Sequence, residues 1–219
     1  MSHRTPDEPG RPRRRRPPRG PLLWLLLLLL LCAGVAGYYL ISRPRLVFSN
    51  RLAGAVRLAI AEGDTRTIPP GQSVRVSVPR GRTLVALWEL VRPLSADGRP
   101  MGEEVRGSLV EREAGGTVRR SATARSQDAD FFAPLITNAS DHLLRVTVNA
   151  WLEGALDCGC AVRPGARRVF IGYYRLYRNS TVEARAGDRS AVFRDLGPGV
   201  VTINGTVGLR FEERDLRTR

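Results

Sequence analysis

The sequence contains no lysine: all 35 of its Lys-plus-Arg positions are arginine. A phosphate-binding loop that relies on a lysine is therefore excluded, and the glycine-rich turns lack the spacing of such a loop in any case. Histidine is nearly missing too, with His3 in the N-terminal tail and His142 beyond it. Nucleophilic catalysis needs a base beside its nucleophile, and a metal site needs several ligands, so one histidine leaves little to build either from. His142, next to Asp141 at the foot of a predicted strand, reads as a surface residue. Adjacent carboxylates occur at Glu103–Glu104 and Glu212–Glu213. Neighbours on a strand point to opposite faces, so neither pair forms an acid–base dyad by itself. The expectation is a chain that is not an enzyme and that needs no cofactor and no metal.

Charge is absent from one long stretch as well. Leu22 to Ile41, "LLWLLLLLLLCAGVAGYYLI", carries no ionisable acid or base of the usual four kinds. A helix of that length rises about 30 Å, the thickness of a bilayer's hydrocarbon core. Trp24 at one end and Tyr38 and Tyr39 at the other suit the two interfaces. The preceding residues 1–20 are rich in proline and arginine, have no apolar period, and are expected to be a disordered cytoplasmic tail. That tail holds seven arginines against Asp7 and Glu8, a net of +5 out of the chain's +14. The excess of positive charge before the apolar segment predicts a cytoplasmic N-terminus and a C-terminal domain outside the cytoplasm. Residues 21–41 are thus expected to be a transmembrane signal-anchor in the cell membrane. The alternative is a cleaved signal peptide, with Gly34 and Ala36 at the small-residue positions and a secreted domain starting at Gly37. Continuation of the apolar run through Tyr38 to Ile41 favours the anchor.

After Arg45 the dominant hydropathy period is two. Val56, Leu58 and Ile60 share a face, as do Val74, Val76 and Val78, and Leu144, Val146 and Val148. "TVEARA" and "VVTINGTVGLRF" read in the same way. Such alternation marks half-buried antiparallel strands. Turn signals punctuate them at Pro69, Ala96, Ala114, Arg163, Ala186 and Gly197. The fold class predicted is all-β, an antiparallel β-sandwich over 45–212, followed by a C-terminal tail at 213–219.

A faint repeat runs through this region. "LVFSN" ending at Asn50 resembles "PLITN" ending at Asn138, and each is followed by an alternating strand and a Pro-Gly turn, Pro70-Gly71 and Pro164-Gly165. The repeat predicts two strand–turn–strand units, halves 45–125 and 131–212, with each asparagine capping a turn through its side chain. One compact unit is the preferred arrangement; two tandem small domains are the other.

Two features carry possible chemistry. Cys158 and Cys160 flank a glycine in a compartment expected to be oxidising, and read as a structural disulfide clip, as free or intermolecular thiols, or as a redox pair. Arg163, Arg167, Arg168, Arg175 and Arg178 lie among aromatics in "RPGARR" and "YYRLYR", the candidate contacts for an anionic surface. Outside the tail and the anchor the balance is +9, from 28 arginines and 19 acids, which biases the domain toward anionic surroundings. Part of the arginine content fits a GC-rich coding sequence. The topology argues against nucleic acid. The expected partners are the membrane, through residues 22–41, and an envelope protein or anionic polymer. The function expected is that of a membrane-anchored structural or protein-interaction module. The alternative is a binding module for anionic lipid or envelope polymer.

Overall fold

The computed structural model describes residues 20–41, 45–60, 63–77, 83–111, 117–125, 130–152 and 159–218. It divides into two compact units, Met1–Ser42 and Arg43–Arg219. In the first, helix α1 (Gly20–Ile41) contains the leucine block, and Leu25 to Leu31 are all exposed. Among the described residues no helix is long and apolar enough to cross a membrane.

The second unit is built of β-sheet. Its first seven strands are β1 (Arg45–Asn50), β2 (Val56–Ile60), β3 (Thr65–Ile68), β4 (Ser73–Ser77), β5 (Leu84–Leu90), β6 (Arg106–Glu111) and β7 (Thr117–Ala122). They form two sheets, β4-β1-β7 and β3-β2-β5-β6. The later strands are β8 (Phe131–Ala139), β9 (Leu144–Val148), β10 (Cys160–Val162), β11 (Val169–Phe170), β12 (Tyr174–Arg175), β13 (Val182–Ala186), β14 (Arg189–Phe193), β15 (Thr206–Glu212) and β16 (Arg217–Thr218). These make the sheet β10-β9-β13-β14-β16 and a second one in which β8 pairs β11, β12 and β15. Pairing is antiparallel except for β1–β7 and β8–β15, which are parallel. The expected all-β class is met.

The two sets share one plan. In each, the first strand pairs its fourth partner antiparallel and its last partner parallel: β1 with β4 and β7, β8 with β11 and β15. In each, the second strand lies between the third and a longer later one: β2 between β3 and β5, β9 between β10 and β13. The alternation of side chains explains the burial. β2 reads buried–exposed–buried throughout, and β5 follows suit. Apolar faces of both sheets in the first half meet in one core around Phe48, Leu46, Val56, Leu58 and Trp88. Phe132, Ile136, Leu144, Val146 and Phe211 centre a second core. Full burial of each such side chain stabilises by about 1.5–3 kcal/mol.

Asn50 and Asn138 turn the chain from first to second strand in each half. The Asn50 side-chain amide donates to Gly54 O and Ile68 O, both at 2.9 Å, while its Oδ1 accepts from Leu52 N at 2.9 Å. Asn138 donates to His142 O at 2.7 Å and Val162 O at 2.9 Å, and accepts from Ser140 N at 3.0 Å. The Pro-Gly turns return to the same asparagines, with Gly71 N donating to Asn50 O and Gly165 N to Asn138 O.

The halves interlock through Tyr173. Its side chain is fully buried in the first core, although its neighbours belong to the second half. The hydroxyl accepts from Ala53 N at 2.9 Å and donates to Asn204 O at 3.0 Å. Pro134 sits where β8 changes antiparallel partner from β12 to β11. A residue with no N–H fits there, because neither partner strand reaches it.

Two sequence expectations need correction. "VVTINGTVGLRF" is not strand throughout: residues 198–205 are turns and bends, and β15 starts at Thr206. Gly205 N bonds Thr202 O and Thr202 N bonds Thr206 O, a tight return that leaves Ile203 91% exposed. The segment after Glu212, expected as a tail, also belongs to the fold. A 3-10 turn (Glu213–Asp215) brings buried Leu216 into the second core and β16 onto β14. One apolar residue among charged neighbours was too weak a pattern to show this.

Candidate functional site

The basic residues singled out by sequence all lie at the surface, but in two places. Arg163 closes the Pro-Gly turn, where Ala166 N bonds its carbonyl. Arg167 and Arg168 are exposed beside it, with Arg168 N donating to Thr137 Oγ1 at 3.2 Å. Arg175 instead pairs with Phe131, at the other end of β8, and its N–H donates to Glu103 Oε1 at 2.8 Å. Arg178 is exposed in the turn that follows. Thr137 and Phe131 are six positions apart on one strand, about 20 Å at the usual rise. The structure therefore does not bring the five arginines into one patch.

Cys160 is buried and disulfide-bonded, whereas Cys32 is a free thiol. Cys158, the other half of the predicted pair, lies outside the described residues. Among the described residues no group of three or more His, Cys, Asp and Glu is placed to hold a metal ion.

His142 acquires partners that sequence reasoning missed. Glu213 Oε1 lies 3.3 Å from its Nε2, and Arg189 both contacts that nitrogen and donates to Glu213 Oε1 at 2.7 Å. The hydrogen bond from Arg189 holds the Glu213 carboxyl below its ordinary range, aided by the charges of Arg189 and His142. These residues come from a turn, a strand and the C-terminal segment, so no local motif announces them. No hydroxyl or thiol bonds the imidazole among the described residues, and the trio clasps the C-terminal segment to the second half. The other flagged carboxylates are engaged as well. Glu104 pairs with Arg106 at 3.3 Å, and Glu212 with Arg210 and Arg214.

A trough of about 480 Å³ crosses the outer face of β2, β5 and β6. Register sets its rows: Ala59, Leu87 and Ser108 form one, Arg57, Glu89 and Arg106 the next. Arg57 and Glu89 are ion-paired at 2.8 Å, and Leu87 is 59% exposed between the strands. Behind the sheet, Gly107 faces Trp88, whose indole lies 2.7 Å from where a Cβ would be.

The matching rows of the second half differ. They read Thr147, Glu183 and Val192, then Arg145, Arg185 and Ser190. There β14 is covered by β16, whereas β6 ends its sheet among the described residues. Among the described residues the first half thus leaves open the edge at β6, where the second half pairs β14 with β16, and its trough row of Ala59, Leu87 and Ser108 is replaced there by Thr147, Glu183 and Val192.

Three potential glycosylation triplets begin at Asn138, Asn179 and Asn204. Asn138 is 1% exposed with its amide committed to two carbonyls, so only Asn179 and Asn204 are open to modification.

No family model matches the chain, and no curated protein does.

Proposed function

We propose that the chain is a single-pass, membrane-anchored protein whose extracytoplasmic part is a pair of small β-sandwiches. It acts as a protein-interaction module and not as an enzyme. The anchor rests on the uncharged run from Leu22 to Ile41, preceded by a tail of net +5. The interaction role rests on one observation above the others: the halves share a plan, yet differ in what they leave uncovered. In the second, β16 pairs β14, so that β14 lies inside its sheet. In the first, the corresponding strand β6 borders a trough floored by Ala59, Leu87 and Ser108. Among the described residues no further strand pairs β6, and an open edge beside exposed apolar side chains is a surface on which a partner strand or loop can bind.

The reading is tested by placing a photo-reactive side chain at Leu87, and separately at Val192 on the second half, in the native host's membranes. A discrete adduct from position 87 with none from 192 is the expected result. Equal yields from both, or none from either, would overturn it.

A further inference from the structure

We propose that the outer face of the sheet β4-β1-β7 binds the phosphate headgroups of anionic lipid in the bilayer that holds the anchor. The proposal rests on the anchored reading above.

Pairing registers place nine residues on that face in three rows. They are Ser77, Arg45 and Thr117; then Arg75, Val47 and Arg119; then Ser73, Ser49 and Ser121. Their neighbours along each strand, Leu46, Phe48, Val76 and Ala122, point into the core. The face therefore offers three guanidiniums, five hydroxyls and one valine, with no carboxylate. With strands about 4.8 Å apart, Arg75 and Arg119 stand about 10 Å from each other across Val47. Arg45 is one row nearer the start of β1.

These three arginines differ from many others in the unit. Arg57, Arg66, Arg106, Arg120, Arg185 and Arg189 each hold a carboxylate. Among the described residues, no acid pairs with Arg45, Arg75 or Arg119. The matching row of the second half is Phe170, Leu135 and Gly208, which carries no charge at all. The shared plan of strands therefore does not dictate the basic face.

Guanidiniums and hydroxyls together are donors suited to phosphate oxygens, and arginine can meet them with two N–H groups at once. Lipid is favoured over a soluble polyanion because the chain supplies the surface. Arg45 follows Ile41, the last residue of α1, by four peptide steps. Those steps span at most about 14 Å of extended chain. Tethering at that reach replaces free encounter with a high effective concentration. Basic residues close to an anionic leaflet each strengthen binding roughly fivefold, so three together give on the order of a hundredfold.

The test uses the full chain with Cys32→Ala and Ser49→Cys, labelled at position 49 with a fluorophore and reconstituted into vesicles. The bilayer carries a headgroup-attached quencher and is either wholly phosphatidylcholine or about one third phosphatidylglycerol. Quenching is expected to rise about twofold or more with the anionic lipid. The rise should disappear in R45Q/R75Q/R119Q, with circular dichroism unchanged, and at about 1 M salt. Equal quenching in both vesicles would overturn the proposal, as would a rise that survives the triple substitution. Arginine-dependent binding to soluble polyphosphate without any response to anionic lipid would also overturn it. Alkaline extraction separates this outcome from failure of the anchor. If it strips the protein from the vesicles, the anchor is wrong, and the face is then judged by salt-sensitive flotation with phosphatidylglycerol vesicles.

Discussion

Asn50 and Asn138 make the same three side-chain hydrogen bonds to the backbone in the two halves of the β unit. Each side-chain amide reaches a carbonyl four residues ahead and the last carbonyl of the third strand of its half. Each Oδ1 accepts the N–H two residues ahead. A buried side chain that meets three backbone groups fixes both the crossing between sheets and the return of the Pro-Gly turn.

Removing that side chain leaves two carbonyls and one N–H without partners. Asn50→Ala and Asn138→Ala are each expected to cost about 2–4 kcal/mol, since one buried unsatisfied group costs about 1–3 kcal/mol. Asn→Asp at either site fares no better, because a carboxylate cannot donate to the two carbonyls. Urea unfolding of the four variants checks this; losses under about 1 kcal/mol would mean the two asparagines do not hold the turns.

Gly102 and Gly107 are both close to neighbours, but of different kinds. A Cβ at Gly102 would lie 2.7 Å from Tyr173 O and 2.8 Å from Tyr173 N, and the residue has φ +76. At Gly107 the obstacle is the Trp88 indole, a side chain that can shift. Gly107→Ala should therefore cost about 1–3 kcal/mol and alter the near-ultraviolet signal of Trp88. Gly102→Ala should cost more, because backbone obstructs it and the left-handed conformation is strained. Melting curves that reverse this order would contradict the close approach of Gly102 to the Tyr173 backbone.

Burial pushes the Tyr173 phenol up from 10.0 to about 12, against a smaller opposing hydrogen bond from the Ala53 N–H. In the unfolded chain the phenol ionises near its ordinary value, so its neutral form favours the folded state. The contribution is complete below about pH 10 and is lost as pH rises toward about 12, an effect of about 2–3 kcal/mol. Tyr173→Phe should lose this alkaline dependence and also be less stable at neutral pH, where Ala53 N and Asn204 O lose their partner. Stability measured from pH 8 to 12 distinguishes the two proteins.

Leu216 anchors the C-terminal segment. Leu216→Ala should cost about 2–3 kcal/mol by cavity formation and speed hydrogen exchange at Arg189 and Ser190, where β16 pairs β14. Glu213 adds a pH term of definite sign. Its carboxyl is held low by Arg189, so its clasp is present above the ordinary carboxylate range and is lost as pH falls through the lowered value. Exchange at Arg189 and Ser190 should rise under acid in the wild type and much less so in Glu213→Gln.

Strands with clean alternation were legible in the sequence. Val56, Leu58 and Ile60 on β2 and Leu144, Val146 and Val148 on β9 are all buried, as their period demands. Asn50 and Asn138 were legible as turn-capping residues because each precedes an alternating run and a Pro-Gly pair. Strands such as β7, "TVRRSA", were not, since half of its residues are exposed and its polar residues do not alternate with apolar ones. Placement of the arginines was the least legible part. Arg163 to Arg178 cluster in sequence, but β8 separates them into two places. Arg45, Arg75 and Arg119 are scattered in sequence and meet only because β1 pairs β4 on one side and β7 on the other. Pairing of that kind between distant strands leaves no local pattern.

The intact mass of the protein purified from membranes of its native host is the most direct test of a tethered module. The account predicts a chain that still contains residues 22–41, with the arginine-rich tail shielded from protease in sealed cells and the β unit accessible. A mass beginning at Gly37, or a tail digested from outside, would contradict it.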